Sequence, residues 1–264
     1  MSKVETTRIP EKKLIQDFTV IQNIRLNARH FILELQSPDQ LPGLFPGQFV
    51  QVLVEHSPST FLRRPFSIHE VNKENRSIRL LIQIKGHGTE TLSHIHILDK
   101  LNLIYPLGNF FTTGDCKKVL LAGGGCGVAP LLFLAQELNK KGIRPIILTG
   151  WKTKADIFEA EKYQQYGELL ITTEDGSEGE KGLVTQHSIF RKEKLDFERI
   201  YCCGPDPMMK AIGKISKTHG IDCEVSLENT MACGFGVCLC CVTPTIHGNQ
   251  RVCTEGPVFN TNEL

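Results

Sequence analysis

The chain has 264 residues, with 30 Lys and Arg against 29 Asp and Glu, a length that suits two compact domains and a small appendage. Hydrophobic residues at 41% and charged residues at 22% exclude wholesale disorder, and a net charge of +1 leaves no broad field for gripping nucleic acid or an anionic membrane. No apolar run approaches the ~20 residues of a bilayer span, and the opening MSKVETTRIPEKK lacks the apolar stretch of a signal peptide. The expectation is a cytoplasmic protein whose ten cysteines are not structural disulfides.

Residues 1–15 read as a polar loose end. From there to residue 112 the hydrophobic period is mostly two, as in Phe31-Ile-Leu-Glu-Leu35, Phe49-Val-Gln-Val-Leu-Val54 and Ile78–Ile84, with Pro42-Gly43 and Pro46-Gly47 as turns. That pattern predicts an antiparallel β-barrel over 15–112, interrupted by a helix near Thr89–Ile95. From Lys117 the grammar changes to strands Val119–Ala122, Pro145–Thr149, Glu168–Thr173 and Arg199–Cys203 alternating with helices Leu131–Lys140, Ala155–Tyr166 and Pro207–His219. Alternation of this kind predicts an α/β domain with a parallel sheet over 113–222. Residues 223–264 form a third piece, rich in cysteine and glycine and too poor in apolar residues to fold alone.

Two barrel motifs point to a flavin nucleotide. Arg63-Arg64-Pro65-Phe66-Ser67 sets a forked cation for a pyrophosphate beside an aromatic that can flank a flavin and a hydroxyl for its polar edge. By itself an Arg-Pro of this kind also reads as a plain turn. Lys85-Gly-His-Gly88-Thr89 follows a strand and opens a helix, which leaves backbone amides free for phosphate; it also reads as an ordinary turn capped by Thr89. Pro106-Leu-Gly-Asn-Phe110 marks the barrel exit.

The second domain carries Gly123-Gly124-Gly125-Cys126-Gly127-Val-Ala-Pro130 between a buried strand and a helix, a context for close approach to a dinucleotide pyrophosphate. The spacing is not G-x-G-x-x-G, so a tight strand–helix turn stays open as an alternative. Cys202-Cys203-Gly204-Pro205-Asp-Pro-Met208 lies at the carboxyl end of another strand, where open α/β sheets bind ligands. The strand ending at Trp151 leads into Lys152 and Lys154 with no clear ribose-binding acid, which leaves NAD and NADP both open.

The cysteines carry the strongest signal. Six of the ten fall between Cys223 and Cys253, and Cys233, Cys238, Cys241 and Cys253 give the C-x4-C-x2-C…C spacing of plant-type [2Fe–2S] clusters. Soft anionic thiolates stabilise ferric iron, and Gly234 and Gly236 let the backbone curl around an inorganic core. Four thiolates also suit structural zinc, although zinc ribbons favour two short C-x2-C knuckles. Cys240 permits a C-x4-C-x-C reading in which it replaces Cys241; Cys241 is preferred.

The order R-P-F-S, G-x-G-T and P-L-G-N-F in a barrel resembles the ferredoxin–NADP reductase superfamily, which usually has tyrosine where Phe66 stands. From residue 15 to 260, and most specifically over Ser226–Cys238, the chain is similar to electron-transfer subunits of class B, NAD-dependent dihydroorotate dehydrogenase. That resemblance implies FAD on Arg64, Pro65, Phe66, Ser67, Leu81, Ile82, Gln83, Gly88 and Thr89. It implies a nicotinamide nucleotide on Gly123, Gly124, Gly125, Gly127, Gly204, Pro205 and Met208, with Cys203 near the hydride path. It further implies an FMN-bearing catalytic partner in a heterotetramer of two plus two chains, with electrons passing from dihydroorotate through the cluster and FAD to NAD⁺. Glu228, ahead of the cysteines, has either a role beside the cofactors or none beyond that of a solvated acid. Cys240 stands where the family commonly has a small residue. Other readings are a subunit of a ferredoxin–NADP transhydrogenase or sulfhydrogenase, an oxygenase reductase, and a zinc-stabilised binding module.

Overall fold

The computed structural model describes residues 12–264. The expected loose end falls mainly on residues 1–11, outside that range. Leu14 and Ile15 already belong to the first strand, because their backbones pair with Tyr105 and Ile104 on a neighbouring strand.

Seven strands make the first sheet: β1 (Leu14–Arg25), β2 (His30–Gln36), β3 (Phe49–Val52), β4 (Arg64–Ser67), β5 (Glu70–Asn72), β6 (Ser77–Gln83) and β7 (Lys100–Leu107). They run in the order β4-β3-β7-β1-β2-β6-β5, all antiparallel, and curl into a half-barrel. Alternate residues such as Phe18, Val20, Leu33, Leu35, Val50 and Val52 turn inward to one dry core. The short helix α1 (His87–Ser93) starts two residues earlier than the sequence suggests, with Gly86 rather than Thr89 at its cap.

The second sheet contains β8 (Val119–Gly124), β9 (Ile146–Trp151), β10 (Glu168–Thr173), β11 (Glu180–Lys181), β12 (Arg199–Cys203) and β13 (Asp222–Ser226). Helices α2 (Ala129–Lys140), α3 (Ala160–Tyr166) and α4 (Asp206–Thr218) accompany them. Helix α3 is shorter than expected, because Thr153 and Asp156 close a separate turn and Glu159 enters the helix at φ +53°. In the C-terminal segment, β14 (Val242–Thr245) and β15 (Gly248–Arg251) form a hairpin, and β16 (Val258–Asn260) follows. The order is β11-β10-β9-β8-β12-β13-β16, parallel except for β16.

Two consequences position the site. Strand β8 lies between β9 and β12, so the sheet order reverses there and opens a crevice at the carboxyl ends of β8 and β12. The third piece does not stand apart: strand β13 spans the expected boundary at 222/223, and β16 returns to pair with it. The cysteine-bearing residues are a long excursion between two strands of the nucleotide sheet. Asn109 pins that excursion to the barrel exit, donating from Nδ2 to the Val258 carbonyl at 2.9 Å and accepting from the Val258 amide at 2.9 Å. Its own amide donates to the Gly256 carbonyl at 2.6 Å.

Candidate functional site

Two clefts meet between the barrel and the second sheet. The larger, about 800 Å³, opens at the carboxyl ends of β8, β9, β10 and β12. The smaller, about 300 Å³, lies between β4, β6 and the segment Ser226–Met231. Gln83, Lys85, Cys126 and Glu228 line both, so the two clefts adjoin at these four residues.

Pro65, Phe66, Ser67, Leu81, Gln83 and Thr89 line the smaller cleft. Arg64 sits beside Gly88: a Cβ on Gly88 would fall 3.3 Å from Arg64 Nε and 3.0 Å from the Thr60 methyl. The two barrel motifs, 24 positions apart in the chain, therefore converge on one spot. Thr89 uses its hydroxyl internally, accepting from the Lys85 amide at 2.9 Å and donating to the Gly86 carbonyl at 2.9 Å. Ile82 departs from the sequence expectation. Its neighbours Leu81 and Gln83 face the cleft, so strand alternation turns Ile82 into the barrel core, and only its backbone remains for a flavin.

Gly124, Gly125, Gly127, Gly204, Pro205 and Met208 line the larger cleft. Gly123 does not; it makes room for Val128 and Leu131 behind the turn. Gly127 has no space for any side chain, since a Cβ would stand 2.4 Å from the Cys203 carbonyl oxygen and 2.4 Å from Gly204 Cα. The glycine turn and the Cys-Gly-Pro turn are thus packed backbone to backbone, leaving a shallow cradle fit for a pyrophosphate.

Cys203 is fully buried at the end of β12, directly behind Glu228, and is not among the residues that line the two clefts. Burial and the Glu228 carboxylate hold its thiol well above the ordinary cysteine range, so it stays protonated, with Sγ 4.0 Å from Glu228 Oε1. The group that reaches both clefts is Glu228 itself. Loss of hydration among the cleft walls raises its carboxyl pKa, opposed by Lys85. The sequence signal for Glu228 was its place just ahead of the cysteines, and for Lys85 its place ahead of the Gly-His-Gly turn.

Glu174 is not singled out by the sequence reading. It follows β10 and lines the larger cleft, one strand further from the glycine turn than the place where a ribose-binding acid was sought. Its signal was available: an acid directly after a third parallel strand.

The cysteines group as two pairs. The Cys233 amide lies 3.5 Å from Cys238 Sγ, and the Cys253 amide lies 3.4 Å from Cys241 Sγ. The Val237 amide also points at Cys233 Sγ at 3.4 Å. Among the described residues no three His, Cys, Asp or Glu side chains converge as one metal ion requires. Two thiolates for each of two irons is the ligand arrangement of a [2Fe–2S] core. Burial opposes charge on Cys233, but amides of Cys238, Phe235 and Val237 and the Cys238 thiol bring its pKa down to about 6. Cys240 turns aside, its Sγ 3.6 Å from the Thr230 carbonyl. Gly234, at φ +77°, packs against the Gln51 side chain.

Fold and site together define a flavin- and nicotinamide-dependent reductase with an iron–sulfur module of its own. Family models agree piece by piece. An oxidoreductase FAD-binding domain matches residues 16–111, an oxidoreductase NAD-binding domain matches 121–214, and the iron–sulfur cluster binding domain of dihydroorotate dehydrogenase B matches 228–264. The chain is 38% identical over 249 residues to the dihydroorotate dehydrogenase B (NAD(+)) electron transfer subunit of Caldanaerobacter subterraneus subsp. tengcongensis, covering 93% of this chain and 96% of that one. The subunit of that name from Fusobacterium nucleatum subsp. nucleatum is 34% identical over 257 residues, covering 95% and 98%. The chain belongs to this family of electron-transfer subunits, and its cofactors are FAD, NAD and an iron–sulfur cluster. Among solved structures, a chain of the NADH-dependent reduced ferredoxin–NADP oxidoreductase superposes with a TM-score of 0.84 at 28% identity, covering 93% of this chain and 88% of that one. A cytochrome P450 reductase from Amycolatopsis, with a TM-score of 0.70 at 21% identity and coverages of 83% and 70%, shares the fold. No helix among the described residues is long and apolar enough to cross a membrane.

Proposed function

We propose that this chain takes electrons from an FMN-bearing partner that oxidises dihydroorotate in pyrimidine synthesis, and delivers them to NAD⁺. The observation that carries the proposal is the meeting of the two clefts at Gln83, Lys85, Cys126 and Glu228, with Cys241 and Cys253 packed with Phe49 and Met231, which line the smaller cleft. FAD, when bound, exchanges electrons singly or in pairs and so couples a one-electron cluster to a two-electron nicotinamide.

The chain's own residues divide the work. Arg64 and the turn at Gly88 hold the FAD pyrophosphate, while Pro65, Phe66, Ser67, Leu81 and Gln83 shape the bed for its ring, with the backbone of Ile82 and the turn closed by Thr89. Gly124, Gly125 and Gly127 receive the NAD pyrophosphate against Gly204, Pro205 and Met208, and Gly123 lets that turn pack down. Glu174 accepts hydrogen bonds from the adenosine ribose and repels a 2′-phosphate, which favours NAD over NADP. Glu228 and Lys85 set the polarity where nicotinamide meets flavin, and buried Cys203 backs Glu228 as a neutral thiol. Cys233 and Cys238 hold one iron, and Cys241 and Cys253 the other.

Exposed Phe235, Val237 and Leu239 surround the exposed Cys238, giving a partner an apolar rim at the cluster. The assembly proposed is two of these chains with two catalytic chains, in the cytoplasm. The likeness to a ferredoxin–NADP oxidoreductase chain favours one second reading, a subunit serving a ferredoxin-linked complex. Anaerobic co-purification decides between them. Dihydroorotate-dependent NAD⁺ reduction by the isolated complex supports the first reading. A complex that instead reduces ferredoxin and is indifferent to dihydroorotate overturns it.

A further inference from the structure

Strand β3 faces two ways. Val50 and Val52 enter the barrel core, whereas Phe49 packs with Cys241, Cys253, Met231 and Val252 on the outer side. By alternation Gln51 shares the outer face with Phe49. Its side chain is fully buried, and neither its Nε2 nor its Oε1 has a hydrogen-bond partner. Primary amides are not left unpaired in a protein interior without cost, so a site that keeps one is shaped around a partner that arrives separately.

The surroundings say which partner. An ideal Cβ on Gly234 would stand 2.6 Å from Gln51 Nε2 and 2.7 Å from its Cγ, so the amide lies directly against the backbone that follows Cys233. Beside Gln51 on β4, Pro65 is its register partner, on the same face of the sheet, and lines the flavin cleft. The amide is therefore buried against the cysteine loop, next to a residue of the flavin cleft's wall.

We propose that Gln51 Nε2 donates a hydrogen bond to a sulfur of the iron–sulfur cluster and thereby raises the cluster's reduction potential. This rests on the reading that the cysteine pairs hold a [2Fe–2S] cluster. Reduction adds one electron and makes the sulfurs more basic, so a donor aimed at sulfur favours the reduced form. The placement is functional as well as structural: the donor stands on the flavin side of the cluster, where electrons leave for FAD.

The test uses the holoprotein with its glutamine side-chain nitrogens labelled with ¹⁵N. Pulsed electron paramagnetic resonance of the reduced cluster should show coupling to a side-chain ¹⁵N, lost in Gln51→Met, a variant of similar size with no donor. A dye-mediated titration of Gln51→Met should show the reduced-to-oxidised ratio of the cluster lowered about tenfold at a given potential, ~59 mV for a one-electron couple. Gln51→Glu, which replaces the donor with an acceptor, should lower it further. Flavin potential and iron content should stay as in the wild type. Absence of ¹⁵N coupling in the wild type overturns the assignment even if neither variant folds, and so does an unchanged cluster potential in Gln51→Met. A wild-type chain that gives no iron–sulfur signal overturns the underlying reading as well.

Discussion

The barrel meets its two neighbours differently: a charged network overlies its apolar packing on the nucleotide domain, whereas its contact with the cysteine segment is mainly apolar. Against the nucleotide domain it presents charge: Arg79 binds Glu70 at 2.6 Å and Glu159 at 2.8 Å, and the buried His69 ring reaches Glu159 at 2.7 Å and the Ala129 carbonyl at 2.8 Å. Lys162 closes the outer edge on Glu70 at 2.5 Å. Against the cysteine segment the barrel presents Phe49, Ile104 and Leu107, packed on Met231, Val252, Cys241 and Cys253. The difference follows from what each joint must do. The charged joint fixes the angle between two nucleotide clefts through directional bonds, while the apolar joint buries Cys241 and Cys253 on the barrel side of the cysteine loop.

The largest expected effect empties the apolar joint. Cys241→Ser should abolish the cluster's visible absorbance and iron content, while Cys240→Ser leaves both intact, because the Cys240 thiol faces the Thr230 carbonyl. FAD and NAD affinities should survive in both variants, since neither cysteine lines a cleft. Retention of iron by Cys241→Ser with loss in Cys240→Ser would reverse the ligand assignment.

Next is the centre of the charged joint. Burial works against the Glu159 carboxylate, but His69 and Arg79 hold its pKa down to about 2 from 4.5. A depressed carboxylate contributes stability that is complete above its unfolded value and is lost as pH falls through its folded one. The gap represents about 3 kcal/mol, present at pH 7 and fading between pH ~5 and ~2. Glu159→Gln leaves Arg79 buried with Glu70 as its remaining carboxylate, and should cost ~3–5 kcal/mol at pH 7. Urea midpoints at pH 7, 4 and 3 check this: the wild type should lose stability on acidification more steeply than the variant. Parallel slopes would mean that Glu159 titrates alike in the folded and unfolded chain.

The sequence made the two folds legible because periods of two and alternating strand–helix runs are properties of neighbouring residues. It also made the cysteines legible, since their spacing is local. The joints were not legible. Glu159 and Arg79 are 80 positions apart, and nothing near either one announces the other. Gln51 reads as an ordinary strand residue until Gly234 is laid on it, and Ile82 is separated from Leu81 and Gln83 only once the sheet decides which face looks into the cleft. That the ends of the third piece are strands of the nucleotide sheet depends on a pairing between β13 and β16 across the whole excursion, which no local pattern announces.

Asn109 tests whether the apolar joint relies on polar anchoring at its edge. Asn109→Ala removes the bonds to the Val258 amide and carbonyl, leaving buried backbone groups unpaired. Each such group costs ~1–3 kcal/mol. The variant should lose about 2–4 kcal/mol in denaturant unfolding and release iron faster, with its response to acid unchanged. An acid response altered as in Glu159→Gln would show that the two joints are coupled.

The smallest effect belongs to the rim of the charged joint. The Lys162 side chain is 35% exposed, so its pairs with Glu70 at 2.5 Å and Glu159 at 3.7 Å are partly screened by water and salt. Lys162→Met keeps the packing of the stem and removes the charge, and should cost no more than ~1 kcal/mol, shrinking further as salt is added. At ~2–4 °C per kcal/mol for a chain of this size, thermal melts in low and high salt resolve the difference. A loss comparable to that of Glu159→Gln would mean that the joint acts as one network in which the rim matters as much as the buried centre. A small, salt-sensitive loss would place its strength where Arg79 is enclosed between two carboxylates.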